Sequence, residues 1–214
     1  MSPTLSYEMS SSWPPVTFDQ PPQANAYRDP DLELEKYLLR PKVVVSSGTV
    51  FDLRWSLTAF EAIRGPLIPG TDDVPDPVPG EHLEFFLGST GQHGGGTFWA
   101  RIPASTHFSM AGCFFGRFPD VACWWGVATT QVAHLEVIPD KAEAKRVDFS
   151  RNDALTLPYF IFIPPPGTDG TVIATAHDGD VLQTEPYRYI RLPPNENATT
   201  SVNPFGWPAW TPPT

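Results

Sequence analysis

The chain has little cysteine, little positive charge and no long apolar run, and each shortage closes off a class of function. Only Cys113 and Cys123 occur in 214 residues, too few for a disulfide scaffold or a four-thiolate zinc site. Lys and Arg number 14 against 24 Asp and Glu, a net charge of −10. That balance opposes nucleic acid and anionic membrane as partners. The first forty residues hold only Arg28, Lys36 and Arg40 as cations, so no basic arm is present to neutralise a packaged genome. No stretch approaches the ~18 consecutive apolar residues of a membrane span. Met1 to Ser12 lacks the charged-then-apolar pattern of an export signal, so Sec-type export is not expected. Asn197-Ala198-Thr199 forms a glycosylation triplet, which matters only in a secreted chain and is expected to go unused.

Proline is abundant instead, with 26 residues, and it is clustered. Pro3 to Pro41 and Pro193 to Pro213 crowd the two ends, and Pro66 to Pro79 and Pro164 to Pro166 mark internal loops. Each proline fixes φ and removes a backbone donor, so these stretches cannot continue a helix or pair as a central strand. The expected organisation is an extended N-terminal arm with one short helix over 1–41, a β-sandwich over 42–192, and an extended C-terminal arm over 193–214. The helix is expected from Asp31 to Arg40, after Asp29 as cap and Pro30 at the first helical position.

Strand periodicity is clearest where Phe51, Leu53, Trp55, Leu57 and Ala59 alternate with polar residues. Pro66 to Gly80 reads as a loop, His82 to Leu87 as a strand and Gly88 to Gly96 as a glycine-rich turn. Further strands are expected at Thr97–Ile102, His107–Phe115, Val121–Ile138, Arg146–Phe149, Thr156–Ile163, Thr171–Ala176 and Tyr187–Leu192, with one helical turn at Lys141–Lys145. So many strands with so little room for crossover helices imply an all-β, antiparallel, jelly-roll-like sandwich. Phe108–Trp125 and Tyr159–Ile163 are apolar on both faces, so one face meets the opposing sheet and the other an arm or a neighbouring subunit.

Candidate chemistry is sparse. His93-Gly94-Gly95-Gly96 resembles the oxyanion-hole element of one branch of the α/β-hydrolases, but the G-x-S-x-G nucleophile pentapeptide is missing. It reads as a flexible turn. His177-Asp178-Gly179-Asp180 offers carboxylates to a cation, yet Asp-Gly is a preferred hairpin dipeptide and a turn is due there. The isolated histidines 82, 93, 107, 134 and 177 do not give a cupin-type metal set. An enzyme built on His93, His177 and Asp180 is the least favoured reading, and no catalytic residue, cofactor or metal is expected.

The aromatics carry the functional expectation. Trp124 and Trp125 are adjacent in one strand and must point to opposite faces, so at least one is core. Trp13, Phe18 and Tyr27 in the first arm, and Phe205, Trp207 and Trp210 in the last, are large apolar groups on non-periodic segments. They are expected to bind neighbouring protein subunits. The leading expectation is a non-enzymatic structural subunit of a large assembly, such as a surface, decoration or minor capsid protein of a viral or phage particle. A carbohydrate- or ligand-binding sandwich is the alternative.

One register follows from local sequence. Gly116 to Asp120 is a five-residue connection between two apolar strands. Pairing Phe115 with Val121 sets Phe114 opposite Ala122, Cys113 opposite Cys123 and Gly112 opposite Trp124. The cysteines are expected to share a face as free thiols.

Overall fold

The computed structural model describes residues 12–18, 38–51, 53–64, 78–89, 92–115 and 118–189, and these form antiparallel strands and no helix. The first sheet is a meander of β1 (Val16–Phe18), β2 (Val43–Val50), β3 (Leu53–Arg64), β4 (Val78–Ser89) and β5 (Gln92–Trp99), each beside the next. The second sheet orders β10 (Tyr159–Phe162), β7 (Phe118–Ala128) and β6 (Phe108–Phe115). The third orders β12 (Val181–Tyr187), β11 (Gly170–Ala176), β8 (Val132–Pro139) and β9 (Lys145–Val147).

Side chains of a strand alternate between its faces, so a strand that is apolar throughout needs two covers. In β7, Val121, Cys123, Trp125 and Val127 enter a core shared with Trp55, Leu57, Leu83 and Phe85 of the first sheet. Their neighbours Trp124 and Ala128 enter a second core with Leu135, Val137, Val172 and Tyr187 of the third sheet. Strand β10 divides the same way, with Tyr159 and Ile161 facing the first sheet and Phe160 and Phe162 the third. The three-stranded sheet is therefore the middle of three layers. The second cover, expected to be an arm or a neighbour, is the chain's own third sheet. Burial of this kind stabilises by roughly 1.5–3 kcal/mol for each large side chain, which is why the apolar content sits in the middle layer.

Aromatic stacking crosses the first interface. Phe85 lies between Trp55, at 6.3 Å between ring centroids, and Trp125, at 5.2 Å. Trp124 points the other way, stacked on Phe162 at 6.5 Å and edge-on to Tyr187 at 5.9 Å. Its indole lies against Gly112, where a Cβ would come within 2.7 Å of the ring. Both tryptophans of the pair are thus packed in the interior, on opposite faces as strand geometry requires.

Residues 12–18 form a strap across the edge of this stack. Trp13 donates its indole Nε1–H to the Glu143 carbonyl at 2.9 Å and packs on the second core. Five residues on, Phe18 pairs with Gly48 as the last residue of β1, on the first sheet. Between them the segment borders β10, the outer strand of the middle layer. At that edge Tyr159 exchanges backbone hydrogen bonds with Ser150.

Several expected boundaries move. Residue 38 makes an isolated bridge to Ala62 and residues 39–40 bend, so the expected helix does not reach Arg40; residues 31–37 lie outside the described part. Phe51 is not in a strand. Val50 pairs with Leu53, so Phe51 occupies a two-residue hairpin turn with φ of 51°, left-handed as such turns require. The expected loop ending at Gly80 gives way to β4 at Val78. The glycine-rich segment is not a turn, because His93 to Gly96 pair along β4 within β5. Val121–Ile138 is broken at Thr129–Gln131 into two strands of different layers. The last strand among the described residues is Val181–Tyr187; of the expected Tyr187–Leu192, residues 188 and 189 are not in a strand and 190–192 lie outside the described residues. Lys141–Lys145 holds turns and bends but no helix. In β6–β7, Phe114 pairs with Ala122, Cys113 with Cys123 and Gly112 with Trp124, as expected, but Phe115 pairs with Phe118 across a bulge instead of with Val121.

Candidate functional site

An open cleft of about 850 Å³ lies where the end of β5, the 100–107 connection, the 129–131 turn and residues 156–157 converge. Trp99, at the end of β5, and Arg101 form one wall; the Arg101 guanidinium sits 5.2 Å from the Trp99 ring centroid. Gly80 on the paired strand has no side chain, and the indole lies directly against its backbone. Glu81 is the next residue. Its carboxylate accepts hydrogen bonds from the Thr156 backbone N–H at 2.9 Å and the Thr156 hydroxyl at 2.6 Å, which braces the loop before β10 against the first sheet.

His107 and Thr129 also line the cleft. The Thr129 N–H donates to the His107 carbonyl at 2.8 Å, closing the ends of β6 and β7 against one another. Gln183 of β12 reaches across from the third sheet, its Oε1 accepting from the backbone N–H groups of His107 and Phe108 at 2.5 and 3.0 Å. With its backbone fixed this way, His107 leaves its Nδ1 withdrawn from solvent without a hydrogen-bond partner. Thr129 Oγ1 is in the same condition. Both atoms are closed to solvent, so neither is presented to the cleft as it stands. Thr106, Thr130 and Gln131 add further hydrogen-bonding groups to the lining.

The residues singled out from sequence are distributed differently. Trp13 is held by its own chain, with the Lys145 ammonium 5.0 Å from its ring centroid. Phe18 is 64% exposed at the sheet edge, its ring 5.4 Å edge-on from Trp55. Tyr27, Phe205, Trp207 and Trp210 lie outside the described residues. His93 is on β5 of the first layer, whereas His177 and Asp180 belong to the β11–β12 hairpin of the third, so they do not form one site. That hairpin is the expected turn: Gly179 has φ of 96° and the Asp178 carboxylate accepts the Asp180 N–H at 3.2 Å. Among the described residues no three His, Cys, Asp or Glu side chains gather to hold a metal ion. Nor does any described helix have the length and apolar character to cross a membrane.

Sequence reasoning missed the cleft because its walls come from four separate segments. In the sequence Trp99 falls only within the expected strand Thr97–Ile102, and His107 stands as an isolated histidine. Compared with known protein families, curated proteins and solved structures, the chain matches none.

Proposed function

We propose that the protein is a non-enzymatic recognition module that binds a neutral saccharide in the cleft between Trp99 and His107. The observation that carries the reading is an open cleft whose lining combines the Trp99 indole with the polar side chains of Thr106, Thr130 and Gln131. Sugars present an apolar ring face to aromatics and hydroxyls to polar groups, and sites of this kind combine an apolar surface with a few fixed hydrogen-bonding groups. The net charge of −10 favours a neutral ligand over a polyanionic one. Hydrolysis of a glycosidic bond generally calls on two carboxylates flanking it. The cleft lining offers Glu81, already bonded to Thr156.

The test is titration of the full chain with neutral oligosaccharides, followed by tryptophan fluorescence and calorimetry. Binding should weaken at least about tenfold in Trp99→Ala, a change of about 1.4 kcal/mol, while the unfolding midpoint stays close to the parent's. A neutral glycan panel without a single binder would reject the reading.

A second reading keeps the structural subunit, with a viral or phage particle as its setting and protein neighbours as its partners. It rests on Phe18, an exposed aromatic on the edge strand β1. The jelly-roll connection that would accompany it interleaves strands between two sheets, whereas β1 to β5 run as a meander. Sedimentation at working concentration separates the two: an assembly favours the subunit, a monomer that binds glycan the module.

A further inference from the structure

We propose that Cys113 and Cys123 are a cross-strand disulfide site, closed when the chain folds in the presence of a disulfide oxidant. The two are direct Cα partners on β6 and β7, in a register that runs unbroken from Phe108 to Phe114. Residues opposed in this way stand about 4.5–5.5 Å apart at Cα, inside the ~4.4–6.8 Å range that a disulfide spans without backbone movement. Both side chains take the face that meets the first sheet. Cys123 is part of that core and Cys113 packs against it. In this structure both are free thiols.

The reaction is thiol–disulfide exchange. One cysteine thiolate attacks a sulfur of a small-molecule disulfide such as oxidised glutathione and releases one thiol. The second cysteine attacks the mixed disulfide, releases the other thiol and closes the protein bond. Two electrons and two protons leave the protein, and the oxidant's disulfide becomes two thiols.

The layering decides when this happens. Once the first sheet has closed, Cys123 is buried and Cys113 half-buried, and desolvation pushes both thiols above their ordinary range, so thiolate is scarce. The bond therefore forms during folding, before the first and middle layers meet. Closed, its Cys123 sulfur is buried and shielded from reductant.

The experiment refolds the denatured, reduced full chain with and without a glutathione redox couple, then alkylates in denaturant and measures intact mass. With the couple, the product should carry no label and weigh about 2 Da less than the reduced chain. Its unfolding midpoint should rise by about 5–10 °C, and reductant should reverse both changes only when denaturant is present. Adding the couple to already folded, reduced protein should leave both cysteines available for labelling after denaturation. Two labels after oxidative refolding, a retained glutathione adduct, a disulfide-linked dimer or a lowered midpoint would each overturn the proposal. None of these readouts involves the cleft, so the outcome is independent of ligand binding.

Discussion

Tyr159 donates its phenolic hydrogen to the backbone carbonyl of Val45 at 2.7 Å, in the buried space between the middle and first layers. The acceptor is available because β2 bulges there: pairing passes from Val44–Thr58 to Ser46–Leu57 and skips Val45. A bulge frees backbone groups from the ladder, and this one is satisfied from the facing sheet. Tyr159 also exchanges backbone hydrogen bonds with Ser150, so one residue ties a loop, the middle sheet and the first sheet together. Tyr159→Phe keeps the ring and removes the donor. We expect a loss of about 1–2 kcal/mol in urea unfolding, the cost of leaving a buried carbonyl unpaired; an unchanged stability would show that the carbonyl finds another donor.

Alkaline pH should unfold the protein through its buried phenols. Burial pushes Tyr187 up to about 12, the nearby carboxylates of Asp140 and Asp169 act in the same direction, and the Thr168 hydroxyl opposes them. Burial also raises Tyr159, against a hydrogen bond from Ser150. The folded chain thus holds these protons to higher pH than the unfolded chain, whose phenols titrate near ~10. The stability they contribute is complete below that pH and is lost as pH rises towards 12. Denaturation midpoints followed from pH 9 to 12 should fall less steeply in Tyr187→Phe than in the parent. The two buried thiols contribute to both proteins and cancel in the comparison.

Gly112→Ala should be costly for a single methyl. The added carbon would lie 2.7–2.9 Å from the Trp124 ring, and that ring is boxed in by Phe162 and Tyr187. Overpacking of this kind costs about 1–3 kcal/mol. Combining it with Trp124→Leu, which removes the obstructing ring, should recover part of the loss as a coupling energy. Strict additivity in the cycle would mean that the two residues do not touch.

Trp13→Ala should loosen the strap without removing it. The indole gives up its hydrogen bond to Glu143 and its contact with Lys145, while the backbone pairing of Val16 to Phe18 with β2 remains. We expect a loss of about 1–3 kcal/mol and faster amide exchange along β10, read by mass spectrometry. Unchanged protection of β10 would show that the strap does not cover that edge.

The parts legible in the sequence were those set by neighbours along the chain. The connection between two apolar runs fixed Cys113 opposite Cys123 and Gly112 opposite Trp124, and the Asp178-Gly179 dipeptide marked its hairpin. Periodicity also revealed that β7 and β10 are covered twice. It could not say by what, because the face of a strand records burial and not the identity of the cover. His93 to Gly96 misled for a related reason: glycine is a poor strand former on its own, yet β4 supplies a full ladder for it and the Trp125 ring packs 3.3 Å from where a Gly96 side chain would begin. Phe51 gave no turn signal, since left-handed backbone is imposed on it by the Val50–Leu53 pair. The cleft left no local trace: Glu81 meets Thr156 across 75 positions.

The strap also sets a timetable. The hydrogen-bond acceptor of Trp13 lies 130 positions later in the chain. On a ribosome adding about 5–20 residues each second, that tryptophan waits several seconds for the residues that will receive it. The whole first sheet is made during that interval, so Val16 to Phe18 can pair with β2 well before Trp13 finds Glu143. Closure of the third layer then latches the strap. Nascent chains arrested just before and just after residue 143 emerges should differ sharply in the susceptibility of residues 12–18 to protease.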